Sequence, residues 1–357
     1  MTSSDIARLR LHNQHIAGAR FEKPDEVIAW LGAVQAQDYF GALWAGGLRM
    51  RHAVEADIEQ ALADRTIIRT WPMRGTLHFV AAADIRWMLE LLTPRIVTNN
   101  AQLLIRRFDL DEGAFARSKD LFARALQGGK RLTRNALYDV LEAGGVSASE
   151  RGRHILCRLA QDGFICFGAR EGKQQTFALL DEWAPNAKRM ARDESLAEIA
   201  KRYFTSHGPA TLQDFTWWSG LTRADAIAGI EMAKRSLAQE AINGQTYWLA
   251  SSTPTTKDPS PSAYLLPAFD EYTVAYKDRS SVLDPKYTKQ ANSGNGTLYP
   301  VIAIDGQVVG TWKRALKKDT LVITPSLFTK LKSADTHAIA EAANRYGKFL
   351  GASVVSS

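Results

Sequence analysis

The sequence predicts an α+β protein built from tandem winged-helix units and closed by a C-terminal strand-rich segment. Three observations carry that expectation. Sets of helical periodicity recur along residues 54–250, each followed by two short apolar strands around a turn. Ser or Thr recurs just before helices in successive sets, where a hydroxyl can cap free backbone N–H groups. Residues 251–261, Ser-Ser-Thr-Pro-Thr-Thr-Lys-Asp-Pro-Ser-Pro, read as a linker, and beyond it the pattern turns to strands. The expected parts are therefore 1–100 (N-terminal helices with a first winged helix), 101–187 (a second), 188–250 (a third) and 262–357 (the β-rich segment with a closing helix).

Taken in order, Ile6–Ile16 reads as an amphipathic helix with Ser3 or Ser4 as its cap. Pro24 to Leu31 starts another, with Pro24, Asp25 and Glu26 in the first turn where the helix dipole favours them, and it is expected to run directly into Val34. Leu43–Met50 is apolar and Gly-rich, which suits tight packing. The first repeat has a helix over Val54–Asp64 and strands at Ile67–Trp71 and Thr76–Val80. The second has helices over Ala114–Leu126, Thr133–Leu141 and Ser149–Asp162, then strands at Gly163–Gly168 and Gln175–Leu180. The third has helices over Ser195–Thr205, Thr211–Trp218 and Thr222–Leu237, then strands at Ala241–Asn243 and Gln245–Leu249 around Gly244. Beyond the linker, Ala263–Pro267 is a strand leading into Ala268–Tyr272, and Tyr287–Gly296 is a polar loop. Val301–Trp312 is a hairpin whose Asp305-Gly306 pair is a strong turn signal. Leu321–Pro325 adds a strand and His337–Tyr346 a last helix.

Composition narrows the function. The chain has 357 residues, with 45 basic against 38 acidic, a net charge of +7 that favours a polyanionic partner. No apolar run approaches the ~18 residues of a membrane span. Residues 1–5 lack a basic flank and an apolar core, so no signal peptide is expected and the cytoplasm is the default. The two cysteines, Cys157 and Cys166, suggest neither a disulfide framework nor a metal site and read as buried packers. No phosphate loop, GxGxxG, HExxH or GxSxG pattern is present, so the commoner enzyme classes find no support. His12 and His15 read as solvated or capping residues rather than metal ligands.

Three stretches carry candidate chemistry. In Val34-Gln35-Ala36-Gln37-Asp38, two glutamines flank one small residue; an amide both donates and accepts, so the pair can hold a water or a base edge, or can simply be a polar helix end. In Arg69-Thr70-Trp71-Pro72-Met73-Arg74-Gly75-Thr76-Leu77-His78, alternation places Arg74, Thr76 and His78 on one face beside Trp71. That face suits phosphate contact and base stacking, or is the polar outer side of a hairpin. In Phe269–Arg279, the carboxylates Asp270 and Glu271 are adjacent, open to acid/base work or to structural Asp–Arg pairing at a strand end. Arg170 and Lys173, with Lys313, Arg314, Lys317 and Lys318, form basic wing tips suited to DNA backbone or to solvent.

Four stretches together resemble a known family. Leu9–Gln14, Gln35-Ala36-Gln37, Trp71–His78 and Leu265–Tyr272 are similar, in this order, to the bacterial winged-helix DNA glycosylases of the AlkZ/YcaQ superfamily. The resemblance implies tandem winged helices in a C-shape around a DNA channel. It also implies excision of N7-alkylated purines, including unhooking of interstrand crosslinks. The family's Gln-apolar-Gln catalytic motif falls on Gln35-Ala36-Gln37. Glutamine at position 37 resembles the AlkZ branch, associated with resistance to DNA-alkylating natural products. Asp38, directly after, is a further candidate carboxylate. On this reading Arg69, Arg74, Thr76, His78, Arg170, Lys173, Lys313 and Arg314 meet DNA. The partner is double-stranded DNA carrying alkylated purines, bound by a monomer without cofactor or metal.

The implied chemistry is coherent. N7 alkylation makes the purine cationic and already a good leaving group, so the enzyme needs only a held water and a stabilised oxocarbenium-like sugar. No lysine is placed for a Schiff base, so a monofunctional enzyme is expected. Two other classes fit the residues: a non-catalytic winged-helix DNA-binding protein or transcription regulator, and a protein that sequesters the alkylating drug.

Overall fold

The computed structural model describes residues 1–242, 244–252, 261–294, 298–317 and 320–356, and the side chains at 317 and 356 are not described. Most of the expected linker, the Asn243 end of a strand, Asn295-Gly296 and Lys318 therefore lie outside the described residues. The chain forms two compact units, one of residues 1–58 with 196–357, the other of 59–195.

In the first unit, the opening helix is Ser3–Asn13, and its cap is Thr2 rather than Ser3 or Ser4, in a reciprocal capping box with Asp5. The helix Pro24–Leu31 begins with proline at its first position, as expected. It does not run on to Val34. Gly32 stops it in a left-handed conformation (φ 78°), and Val34–Gln35 is extended. Asp38 then caps a new helix, Tyr39–Leu48, which is buried from Gly41 onward. That burial uses the glycines: a Cβ on Gly47 would stand 2.3 Å from the Phe349 ring.

Later in this unit, the helix Leu212–Ser219 is capped by Thr211 in a box with Asp214, and Arg223–Ala233 is capped by Thr222. A hairpin follows, Leu237–Ile242 against Gln245–Ala250, with Gly244 at φ 77° in its turn. Its first strand begins where helix is expected from the periodicity, after a short 3-10 turn at Lys234–Ser236. Beyond residue 261 a five-stranded sheet runs in the order Ser353–Ser356, Thr320–Leu327, Gln307–Lys317, Val301–Ile304, Ala263–Leu266. It is antiparallel except for the edge strand Ser353–Ser356, which the sequence pattern does not predict. Asp305 and Gly306 make the turn with φ of 49° and 87°, as a two-residue hairpin of this hand requires. The closing helix Ser333–Leu350 packs on this sheet and on Tyr39–Leu48. Trp44 and Tyr346 meet there with ring centres 4.8 Å apart.

Phe269–Arg279 is not a strand. Phe269 takes φ 62°, and Asp270 caps a one-turn helix, Glu271–Val274. The two carboxylates are thus a cap and a first-turn residue, and each finds its own partner.

In the second unit, Ile67–Met73 pairs with Thr76–Ala81 around Arg74-Gly75, at φ 54° and 71°. Two helices outside the expected repeat pattern follow, Ile85–Leu92 and Pro94–Phe108. The helices Glu112–Leu126, Arg134–Ala143 and Gly152–Gln161 come next, capped by Asp111 and Thr133 in the first two cases. The hairpin Ile165–Glu171 with Gln174–Leu179 follows, joined by the short strand Leu132–Thr133 and continued by the one-turn helix Leu180–Trp183. Phe115, Phe122, Leu137, Leu141, Ile155, Leu159, Ile165 and Phe177 form its core, the apolar faces of three helices closed by one face of the hairpin. Among the described residues no helix is long and apolar enough to cross a membrane.

Candidate active site at the glutamine motif

The motif passes from interior to surface within three residues. Gln35 and Ala36 are buried, whereas Gln37 and Asp38 are exposed. Local structure fixes both ends. On the near side, Gly32 turns the chain, and the Trp218 indole lies 3.4 Å from where a Cβ on Gly32 would stand. On the far side, Asp38 Oδ1 accepts from the Gly41 backbone N–H at 3.2 Å, which anchors the next helix. Tyr39 and Phe40 follow with their rings edge to face, centres 5.6 Å apart, and Phe40 is exposed.

Behind the motif lies a buried polar network. The Gln35 backbone N–H donates to Glu271 Oε1 at 2.9 Å, and the Trp218 indole N–H donates to Glu271 Oε2 at 2.9 Å. Glu271 is wholly buried, so both oxygens need donors, and these supply them. Asp270 meets Arg49 in a two-pronged pair, both contacts 2.9 Å. Arg49 also donates to the Gln14 side-chain and backbone oxygens and to Ala45 O. Gln14 donates in turn to the Tyr276 hydroxyl, which donates to His207 O. The structural Asp–Arg pairing is thus what Asp270 does, with Arg49.

His207 Nε2 stands 3.5 Å from Glu271 Oε2, and its Nδ1 is 2.8 Å from Ser206 Oγ. Burial pushes the imidazole below its ordinary pKa, against the pull of Glu271, so the ring is neutral and the contact is not an ion pair. Its ring stacks on Tyr203, centres 4.9 Å apart.

A family model described as "DNA glycosylase AlkZ-like" matches residues 28–349. The chain belongs to this family. It is similar to an interstrand DNA cross-link repair glycosylase of Streptomyces sahachiroi, 26% identical over 341 residues that cover 88% of each chain. The solved structure of the Streptomyces sahachiroi DNA glycosylase AlkZ, 23% identical, matches over 100% of both chains with a TM-score of 0.83. This chain has the mixed helix-and-sheet fold of that AlkZ structure.

Within this AlkZ-like chain, the expected DNA-facing residues fall in different settings. Arg74 sits in the turn, and one of its guanidinium nitrogens is 3.2 Å from His78 Nε2. Arginine can only donate, so Nε2 accepts and the His78 proton is on Nδ1, 3.0 Å from Thr76 O. Arg74, Thr76 and His78 are thereby brought together. They do not form the outer face of a hairpin, because His78 is fully buried and Thr76 only partly exposed. Arg69 is buried over the Phe167 ring at 4.8 Å. Arg170 lies in a strand and pairs with Glu59 at 2.7 Å, whereas Lys173 is exposed in the turn. Lys313 and Arg314 are exposed, but they lie within the strand Gln307–Lys317 rather than at a tip. Arg314 stands over the Tyr346 ring at 5.6 Å.

His15 is only partly exposed. It takes φ 54° and packs between Phe21 and Trp30, with ring centres 4.4 and 5.0 Å away. Cys166 is buried; Cys157 is partly so, its thiol pushed up to about 11 by burial. The residues that sequence reasoning misses are Arg49, Trp218 and His207, and the tie between Glu271 and Gln35. The available signal is Glu271 itself, a carboxylate beside the apolar run Leu265–Phe269.

Proposed function

We propose that this chain is a monofunctional DNA glycosylase that removes N7-alkylated purines from double-stranded DNA, acting as a monomer. Excision extends on this reading to crosslinked or bulky adducts, in keeping with the crosslink-repair name of the Streptomyces sahachiroi relative. One observation carries the reading: an exposed glutamine, Gln37, stands between a backbone held by a buried carboxylate and a capped helix N-terminus. An amide on so rigid a support can hold water at the anomeric carbon without losing side-chain and backbone freedom at each turnover. Gln35 supports that arrangement from the buried side. Since the alkylated base departs without protonation, no strong acid is required of the site.

The helix sets that end in hairpins act on this proposal as winged helices, one in each of the parts 1–100, 101–187 and 188–250, with 262–357 as the β-rich segment. Lys173, Lys313 and Arg314 meet the DNA backbone, and Arg69, Arg74, Thr76, His78 and Arg170 are further candidates for DNA contact. Asp38 contributes by fixing the backbone after Gln37. The test is release of free N7-methylguanine from duplex DNA. The wild type is expected to release the base and leave an intact strand with an abasic site, and Gln37→Ala to be about 100- to 1000-fold slower. No release by the wild-type protein, with sequence-specific binding to one DNA site, overturns the proposal.

A further inference from the structure

We infer that Glu271 is a positioning residue for the glutamine motif, acting through the Gln35 backbone; this rests on the proposed role of Gln35 and Gln37 in base release. A buried carboxylate is costly unless its oxygens are satisfied, and here each has an N–H donor 2.9 Å away. One donor belongs to the motif itself. The other, Trp218, packs its ring against Gly32, the residue that turns the chain into the motif. The motif is thus gripped at both ends of residues 32–35 by two side chains that are bonded to each other.

The carboxylate is also held from behind. Its neighbour Asp270 is locked by Arg49 and accepts from the Tyr272 N–H at 2.9 Å, which leaves the backbone at Glu271 little freedom. Gln35 and Glu271 are 236 residues apart in sequence, so nothing local would otherwise set this distance. A shift of the Gln35 backbone moves the Gln37 amide two residues on, and misplacement on the order of 1 Å can cost catalysis about 100-fold.

Two accepting oxygens are the feature that matters. In Glu271→Gln one of them becomes an NH₂ group, and either Gln35 or Trp218 then points its N–H at another donor. Trp218→Phe removes one of those donors. In the double variant the remaining amide oxygen is free to keep the Gln35 bond, although the negative charge is gone.

The experiment measures single-turnover release of N7-methylguanine, DNA affinity and melting temperature for the wild type, Glu271→Gln and Glu271→Gln/Trp218→Phe. Glu271→Gln is expected to slow release about 10- to 100-fold with DNA affinity within about threefold. The double variant is expected to regain at least about a third of the wild-type rate. A wild-type rate in Glu271→Gln overturns the inference. So does a folded double variant that stays as slow as the single one, which assigns the effect to charge, or a rate loss that follows DNA affinity. If Glu271→Gln alone does not fold, the double variant is decisive, and failure of both to fold assigns Glu271 to the fold only and overturns the inference. Absence of release by the wild type instead removes the glycosylase reading.

Discussion

Arg49 and Asp270 face each other as a fully buried ion pair, with two guanidinium nitrogens each 2.9 Å from a carboxylate oxygen. The pair joins the end of the helix Tyr39–Leu48 to the start of Glu271–Val274, the two elements that flank the glutamine motif and its carboxylate. Removing one member strands a buried charge. Asp270→Ala is therefore expected to lower stability by about 3–5 kcal/mol in chemical denaturation. Replacing both, as in Arg49→Met/Asp270→Leu, is expected to cost clearly less than Asp270→Ala alone.

Asp38 separates capping from chemistry. Its carboxylate accepts the Gly41 N–H, a bond that an asparagine oxygen can also accept. Asp38→Asn is expected to keep base release within about threefold of wild type, while Asp38→Ala loses about 1 kcal/mol of stability together with rate. A rate loss in Asp38→Asn as large as that of Gln37→Ala would mean that the carboxylate itself takes part in the reaction.

Burial lowers the pKa of His207 below 6.5, with Glu271 pulling less strongly the other way. His15 and His154 are also lowered, again chiefly by burial. In the unfolded chain these rings take up protons near pH 6.5, where the folded protein keeps them neutral. Their contribution to stability is thus complete above that pH and is lost as pH falls through the lower folded values. Melting temperature is expected to decline between pH 7 and pH 5, more gently in His207→Gln. A melting temperature that rises over that interval contradicts the assignment of a neutral buried ring.

Exposed and tethered cations should differ on DNA. Lys173 and Lys313 are solvent-facing, whereas Arg170 is engaged by Glu59. Removing a side chain that neutralises one phosphate lowers the slope of log affinity against log salt by about 0.9. Lys173→Ala and Lys313→Ala are each expected to reduce that slope by roughly this amount, measured on undamaged duplex. An unchanged slope in both variants would place the DNA path elsewhere.

Local signals are the legible part of this protein. Thr133, Thr211 and Thr222 cap helices as their hydroxyls and spacing indicate, and Asp305-Gly306 makes the turn that its backbone preferences allow. The hairpins at residues 67–81 and 165–179 follow from apolar runs around Gly-containing turns. The helix start at Pro94 carries an equally local signal, since proline suits a first helical position, although the repeat pattern does not include that helix. These features depend on neighbours a few residues apart, so the chain states them directly.

The site is legible only as a motif. Sequence alone determines that two glutamines stand one residue apart and that Asp270 and Glu271 are adjacent. Tertiary structure decides that Gln35 is buried and Gln37 exposed, that Asp270 belongs to Arg49, and that Glu271 turns to Gln35 and Trp218. Those partners are 221, 236 and 53 residues apart. Burying a charge or an amide demands a partner, but it does not say from which element the partner comes; only the packing of the folded chain makes that choice.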